Sequence, residues 1–258
     1  MRRKLPALFV AGAFALSMIP ASSVLRADER GSLDPIHEDA KLEVAEEHNI
    51  NTLPAAGPHR LYVVEPIFPV FSRSKVWVVD GAKQKNIGMY GAGADGHLAI
   101  APDHSRLYYA DTYWARGDRG ERTDVVTAWD AESLKPVGEA ILEKGRFLVV
   151  TKRNNMDVSP DGRYVYSYNM SPSTAVSVVE TADMSYKGEI EIPGCALVFP
   201  SAPGRFSSVC ADGTLLTVHH DDSLEATSSR SAAFFDAEND PVYEHAAFDK
   251  PANKVHFL

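Results

Sequence analysis

The chain of 258 residues has little basic charge, and this limits the partners that its surface can attract. It carries 26 lysines and arginines against 35 aspartates and glutamates, a formal net charge of −9. Proteins that bind nucleic acid present a basic stripe or patch to the phosphates, so we expect no nucleic-acid partner. The sequence also contains no GxSxG, HExxH, CxxC or P-loop pattern. These signatures of serine hydrolases, zinc proteases, thiol oxidoreductases and nucleotide-binding enzymes are therefore not part of the chain.

Long apolar runs are scarce, and the longest lies at the N-terminus. Residues 5–19 carry no charge and follow a basic stretch, residues 2–4. The run is shorter than the ~20 residues that a membrane helix needs, and small residues follow it, as in a secretory signal peptide. We predict a signal peptide over residues 1–27, no membrane span after its removal, and a periplasmic location; the alternative is an N-terminal membrane anchor. Residues 28–57 are predicted to form a polar arm or linker.

Cysteine is rare, with only Cys195 and Cys210. In an exported protein an even number of cysteines is typical of a disulfide. Two strand-like runs flank residues 201–204 and predict a hairpin whose directly opposed Cβ atoms are about 4.5–5.5 Å apart. The predicted facing pairs are Cys195 with Cys210, Val198 with Ser207, and Pro200 with Arg205. We therefore predict a disulfide between the two cysteines, with two buried free thiols as the alternative.

From residue 58 to the end the sequence consists of short alternating strands separated by Gly, Pro and Asp turns. Three units of four strands follow one another, with proline turns at Pro102, Pro160 and Pro203. Three strands precede these units and two follow them. Four-stranded units at this period are typical of propeller blades, so we predict an all-β chain of about 17 strands. The uneven ends favour an incomplete β-propeller domain over residues 58–258, with about four blades, because a propeller closes its ring.

Several motifs carry a resemblance to a known family. They are Gly96-His97, residues 119–126 (RGERTDVV), residues 170–175 (MSPSTA) and residues 210–217 (CADGTLLT). Together they resemble the heavy (large) subunit of the amine dehydrogenases, over roughly residue 58 to the end. The RGERTD segment and the cysteine-bounded hairpin are closer to the aromatic amine dehydrogenase type than to methylamine dehydrogenase.

The resemblance implies a seven-bladed propeller in a periplasmic two-plus-two heterotetramer, of which this chain holds part. In that family the small subunit carries the tryptophan tryptophylquinone cofactor and oxidises a primary amine to an aldehyde and ammonia. Electrons then pass to a blue copper protein, azurin-like or amicyanin-like. The large subunit is mainly a scaffold, so the resemblance implies no catalytic residue, no metal and no cofactor on this chain.

Two aromatic residues are candidates for a substrate channel. Phe68 and Phe71 lie in the segment EPIFPVFSR, between the first two predicted strands. In the family a phenylalanine at the equivalent rim position lines the channel, and Phe68 matches that position better. The alternative for both residues is packing in the core, which is the usual role of aromatic side chains.

Segment 113–124 is predicted as an extra loop in the first four-strand unit. It holds Arg116, Arg119 and Arg122 together with acidic residues that include Asp124. Arginine suits interfaces because its planar guanidinium makes paired hydrogen bonds. On the sequence alone a solvated loop with mutually neutralising charges is favoured. With the resemblance, we favour a role at an interface, either with the small subunit or between blades.

Three further patterns are predicted to be structural. Residues 91–96 (GAGADG) match GxGxxG, but a strand rather than a helix follows, so we predict a Gly-rich loop between blades. Residues 219–222 (HHDD) are predicted to form a polar turn rather than a metal site, since neighbours on a strand point to opposite faces. Tyr164, Tyr166 and Tyr168 share one face of a strand and are predicted to pack between blades.

Two other functions stay open from the sequence. One is a stand-alone periplasmic propeller that binds a ligand or a protein, and the other is a truncated fragment without function. A neighbouring gene for a small cysteine-rich subunit would favour the amine dehydrogenase. The absence of amine-dependent dye reduction in extracts would favour the stand-alone protein.

Overall fold

The computed structural model describes residues 52–66, 73–147, 152–170, 172–243, 246–249, 252 and 254–257. The predicted signal peptide, most of the predicted arm over 28–57, and both Phe68 and Phe71 lie outside these residues. Within the described ranges, no helix is long and apolar enough to cross a membrane.

Seventeen strands form five antiparallel sheets, and the only helical element of the described residues is a short 3-10 turn at Arg153–Asn155. The first sheet has the order β1-β2-β3, from β1 (Arg60–Pro66), β2 (Ser74–Asp80) and β3 (Lys85–Ala92). The second has the order β4-β5-β6-β7, from β4 (Ala94–Ile100), β5 (Arg106–Trp114), β6 (Arg122–Asp130) and β7 (Pro136–Ile141).

The remaining sheets repeat this meander. The third contains β8 (Met156–Val158), β9 (Tyr164–Asn169), β10 (Ala175–Glu180) and β11 (Ser185–Glu191). The fourth contains β12 (Cys195–Ala202), β13 (Arg205–Cys210), β14 (Leu215–His220) and β15 (Ala226–Arg230), and the last pair is β16 (Ala247–Asp249) with β17 (Lys254–His256). The predicted all-β class and the sheets of three, four, four, four and two strands are confirmed.

The core lies between successive sheets rather than inside any one of them. Strands alternate inward and outward side chains, so each sheet offers one apolar face to the sheet before it and one to the sheet after it. Tyr164, Tyr166 and Tyr168 of the third sheet are buried against Phe206 and the cysteines of the fourth. The prediction that these tyrosines pack between blades is therefore confirmed.

A single glycine joins the first sheet to the second. β3 ends at Ala92 and β4 begins at Ala94, so Gly93 alone forms the junction. A Cβ at Gly93 would lie 2.7 Å from the Thr112 carbonyl oxygen, a contact that only glycine avoids. The prediction of a Gly-rich loop over residues 91–96 is therefore wrong, because the flanking residues continue the strands.

The disulfide is present, but the hairpin that carries it has a different register from the predicted one. Cys195 faces Cys210 and is bonded to it. Beyond that rung, Phe199 instead of Val198 faces Ser207, because the register shifts after Ala196. The predicted pair of Pro200 with Arg205 also differs, since Pro200 faces Phe206 and Ala202 faces Arg205. Leu197 lies within the shifted stretch with a φ of 65°, a left-handed backbone typical of a bulge. The predicted pairs assumed a regular hairpin and therefore did not include this bulge.

The antiparallel order brings several connections to the same end of the sheets. β1, β5, β9 and β13 end there, and β2, β6, β10 and β14 begin there. Gly93 lies at this end, since Ala92 pairs with Ser74 and Ala94 pairs with Thr112. The disulfide is there as well, because Cys195 opens β12 and Cys210 closes β13. We call this the arm end, after the hairpin described next.

Candidate functional site

The hairpin between β5 and β6 extends beyond the other strands of its sheet and forms an arm, residues 113–123. Strand pairing continues to Trp114, which faces Arg122. Only residues 115–121 form the turn, closed by a hydrogen bond of 2.9 Å from the Ala115 N–H to the Glu121 carbonyl. The predicted loop over 113–124 is thus shorter than expected, because residues 113–114 and 122–124 at its two ends are strand. The aromatic and β-branched residues at its ends favour strand pairing, but the many charged residues favoured the prediction of a loop.

The four predicted interface residues fall into two groups. Arg116 and Arg119 lie at the exposed tip, where the Arg119 side chain is 74% exposed and 3.2 Å from Asp118. An ion pair this exposed contributes little to stability, so both side chains are available to a partner. Arg122 and Asp124 lie at the base of the arm instead, and Asp124 is buried.

On one face of the base, Asp124 joins three elements. One carboxylate oxygen accepts hydrogen bonds from Arg122 at 2.9 Å and from the Thr112 hydroxyl, and the other accepts the Arg146 backbone N–H at 3.0 Å. Arg122 also donates to the Arg146 carbonyl, and its guanidinium lies 5.8 Å from the centroid of the Trp114 ring. Charge-assisted bonds in a buried setting hold β5, β6 and the segment after β7 together.

Arg146, which the sequence reasoning missed, is the centre of this face. Its guanidinium is buried and donates to the carbonyls of Asp95 at 2.8 Å and Ala94 at 3.2 Å. Burial lowers the pKa of Arg146, while the nearby carboxylates, Asp124 foremost, act in the opposite direction. Arginine keeps its charge under such conditions, so this is a buried cation that ties the end of the second sheet back to its start. A lone arginine in a predicted connection carries no sequence signal of that role.

The Gly96-His97 motif belongs to the same network. Arg146 can only donate, so at 3.0 Å the Nδ1 atom of His97 must accept, and the ring proton then lies on Nε2. The Asn155 Nδ2 atom is 2.9 Å from Nε2, so with the proton on Nε2 the side-chain amide is assigned the opposite orientation, with its oxygen as the acceptor. His97 is therefore a neutral, buried link between the second sheet and the start of the third. It is held by structural contacts rather than placed as a general base.

On the opposite face of the base, Asp111 joins the arm to the Gly93 junction. Its Oδ2 atom accepts the Gly93 N–H at 2.7 Å and the Tyr113 hydroxyl at 3.0 Å. The side chain is fully buried. Burial raises the pKa of Asp111 to about 6, partly offset by the Gly93 hydrogen bond. Asp111 was also missed by the sequence reasoning, since one acid within a strand has no distinguishing pattern.

The HHDD segment is half strand and half turn, so the predicted polar turn is confirmed only for its second half. His219 and His220 end β14, and His220 is buried with its Nε2 atom 2.8 Å from the Tyr166 hydroxyl. Asp222 accepts a hydrogen bond of 2.9 Å from the Tyr164 hydroxyl. Across the described part of the chain, no group of three or more His, Cys, Asp or Glu side chains is placed to hold a metal ion.

A cavity of about 770 Å³ lies at the arm end of the fourth sheet. It is lined mainly by apolar groups, including the disulfide, Tyr168, Phe235 and Tyr243. Such a wall can bury an apolar group, but it supplies no nucleophile or acid–base pair.

Comparison with known proteins agrees with this arrangement of sheets. The family model described as "Methylamine dehydrogenase heavy chain (MADH)" matches residues 57–257. This chain belongs to the methylamine dehydrogenase heavy chain family. The match covers all of the described strands and both cysteines.

Individual relatives give the same result. The chain is 28% identical over 251 residues to a methylamine dehydrogenase heavy chain of Methylophilus methylotrophus, which covers 95% of this chain and 61% of that protein. It is 31% identical over 213 residues to the heavy chain of Paracoccus versutus, covering 82% of this chain and 49% of that protein. The chain thus spans about half to three fifths of the length of these relatives.

A solved structure supports the propeller fold. The Dos1 propeller superimposes with a TM-score of 0.52 at 12% sequence identity, covering 77% of this chain and 47% of that one. At this identity the likeness concerns the fold alone. The predicted β-propeller class, with an incomplete set of blades, is confirmed.

Proposed function

We propose that this chain is the large, mainly non-catalytic subunit of a periplasmic amine dehydrogenase dependent on tryptophan tryptophylquinone. The complex oxidises a primary amine to an aldehyde and ammonia, and a small subunit carries the cofactor. The observation that carries this proposal is the family match over residues 57–257, on a set of propeller sheets. The chain and the small subunit form a two-plus-two heterotetramer.

The tryptophans support a cofactor on another chain. A tryptophan-derived quinone needs two tryptophans side by side, and this chain has three in total. Trp77 donates to Glu65 at 2.6 Å, Trp114 lies beside Arg122, and Trp129 stacks on Tyr90 with ring centroids 4.4 Å apart. Each ring is thus engaged with a different residue that is not tryptophan.

The arm is the proposed docking element for the small subunit. Its tip presents Arg116 and Arg119 beyond the edge of the sheet, on a base fixed by Asp111, Asp124 and Arg146. A rigid base with exposed arginines suits an interface, because side chains outside the tip lose little conformational freedom on binding. Phe68 and Phe71 are proposed to line the substrate channel from the connection that follows β1.

The activity is tested by purifying the tagged chain from the periplasm of its own cells. We expect a small cysteine-rich subunit that stains for a quinone, and a preparation that reduces an artificial electron acceptor only when a primary amine is added. Reduction by a purified blue copper protein, azurin-like or amicyanin-like, would identify the physiological acceptor. A purified chain that lacks any quinone-bearing partner and any amine-dependent reduction would overturn the proposal and favour a stand-alone propeller.

The substrate type is tested with the same preparation. The RGERTD segment predicts a preference for aromatic amines, whereas the relatives above are methylamine dehydrogenase heavy chains. Rates with methylamine and with a phenylethylamine decide between the two. Phe68→Ala is expected to change the ratio of these rates, and an unchanged ratio would remove Phe68 from the channel.

The docking role of the arm is tested by Arg119→Ala. We expect a reduced yield of co-purified small subunit, because the variant removes the guanidinium from the exposed tip. Lys83→Ala is the matched control, since the Lys83 side chain is 75% exposed but lies in the turn between β2 and β3, at the opposite end of the sheets. A wild-type yield from Arg119→Ala would count against docking through this residue.

A further inference from the structure

Two buried carboxyls support the base of the arm, and they differ in how their charge is balanced. Asp124 has a cationic partner in Arg122, at 2.9 Å, and a backbone N–H from Arg146. Among the described residues, Asp111 has only an N–H and a hydroxyl as hydrogen-bond donors, both on Oδ2, and none of them donates to its Oδ1. Asp111 therefore holds the arm through one carboxylate oxygen that accepts from neutral donors, without a hydrogen-bonded cation.

The partners of Asp111 belong to different parts of the molecule. Gly93 is the junction between the first two sheets, and its carbonyl accepts the Ser74 N–H at 3.2 Å. Tyr113 is the first residue of the arm, and 41% of it is exposed. One carboxylate oxygen thus joins the fixed junction to a side chain on the surface. Tyrosine and arginine are both enriched in protein interfaces, so Tyr113 extends the surface formed by Arg116 and Arg119.

We propose that Asp111 is the positioning residue of the arm and makes docking of the small subunit dependent on pH. While Asp111 is ionised, it holds the Tyr113 hydroxyl against the Gly93 junction and keeps the arm in its docking position. When Asp111 takes up a proton, the hydrogen bond to Tyr113 weakens and the small subunit binds less tightly. The identity of this partner rests on the proposed function; the movement of the arm does not.

The charged and titratable groups around Asp111 are consistent with a change in the mildly acid range. Burial raises its pKa to about 6. Arg146, from the segment after β7, favours the ionised form, whereas Glu139 of β7 disfavours it. The remaining neighbours are phenols, whose own pKa values are raised by burial, so they stay neutral throughout this range: Tyr90 of β3, and Tyr109 and Tyr113 of β5.

The first measurement is the dissociation of the purified complex at pH 5 and pH 7.5, by mass photometry on dilution. In the wild type we expect the affinity between the subunits to fall about tenfold at the lower pH. A change of this size corresponds to the loss of one charge-assisted hydrogen bond. Asp111→Asn keeps an acceptor oxygen but cannot ionise, so its affinity should be the same at both pH values. Asp124→Asn is the matched control, and it should retain the pH dependence of the wild type.

The second measurement does not need the partner. Hydrogen exchange of the amides in residues 115–121, corrected for intrinsic rates, should show less protection at pH 5 than at pH 7.5 in the wild-type chain. Tyr113→Phe removes only the contact on the arm side, and it should abolish this difference.

Persistence of the wild-type pH dependence in both Asp111→Asn and Tyr113→Phe would overturn the inference. If exchange changes as expected but no small subunit binds at any pH, the proposed function fails while the role of Asp111 in the arm stands.

Discussion

At the scale of single residues, the arm shows how burial acts differently on similar groups. Asp111 and Asp124 lie on adjacent strands and are both buried. The ion pair with Arg122 compensates Asp124 for its loss of water, whereas Asp111 relies on neutral donors and its pKa rises to about 6. Removing a carboxylate from water is costly unless a cation replaces the solvent.

The wild-type protein is expected to lose folding stability as the pH rises and Asp111 ionises. Asp111→Asn should remove this loss, because asparagine cannot ionise. Because the folded-state pKa lies above the ordinary value of 3.8, the folded protein binds the proton more tightly, and this stability is lost as pH rises through about 6. Relative to the wild type, the variant should gain about 2 kcal/mol between pH 4.5 and pH 7.5. Urea unfolding of both proteins at the two pH values checks this. If the two proteins differ in free energy of unfolding by the same amount at both pH values, the Asp111 carboxyl does not titrate between them.

At the scale of elements, the junction between β3 and β4 depends on the absence of a side chain. Gly93→Ala should destabilise the protein by about 1–3 kcal/mol, because the new Cβ would lie 2.7 Å from the Thr112 carbonyl oxygen. Gly91→Ala is a close control, since a Cβ at Gly91 meets nothing within 4 Å. Its effect should stay within about 0.5 kcal/mol. Thermal unfolding of the two variants separates these outcomes, and equal melting temperatures would show that the junction can relax.

The strands themselves were predictable from sequence because alternation and proline turns repeat along the chain. The disulfide was predictable too, since its rung lies at the end of the hairpin, before the irregular stretch. The bulge around Leu197 was not, because a left-handed leucine is specified by packing rather than by residue type.

The candidate site was less predictable than the fold. Exposed arginines such as Arg119 stand out in a sequence as a charge cluster, whereas Arg146 and Asp111 belong to no recognisable motif. Their importance comes from residues far along the chain: Arg146 contacts Ala94 and Asp95, and Asp111 contacts Gly93. Pairings of this kind exist only after the sheets have stacked.

At the scale of the whole molecule, the first sheet has one face without a covering sheet among the described residues. Val63 of β1, Trp77 of β2 and Met89 of β3 form one row across it. Leu61, Val63 and Met89 are 53%, 48% and 45% exposed. Contiguous apolar surface of this kind promotes association between molecules.

The isolated chain is thus expected to self-associate through this face. Changing Val63→Lys and Met89→Lys together should raise the proportion of monomer, because two charges would then interrupt the apolar row. Sedimentation velocity over a range of concentrations provides the measurement. Val137→Lys, at a 54% exposed valine on β7, is the comparison and should leave the distribution as it is. Identical distributions for all proteins would assign association to another surface.

The one-residue junction at Gly93 has a practical consequence for labelling the protein. An insertion there, even of a single amino acid, would turn every following side chain of β4 to the wrong side. The hydrogen bonds of residues 115–118 are all made within the arm itself. A fluorophore or an epitope tag placed between Gly117 and Gly120 would consequently report on the protein without entering any strand.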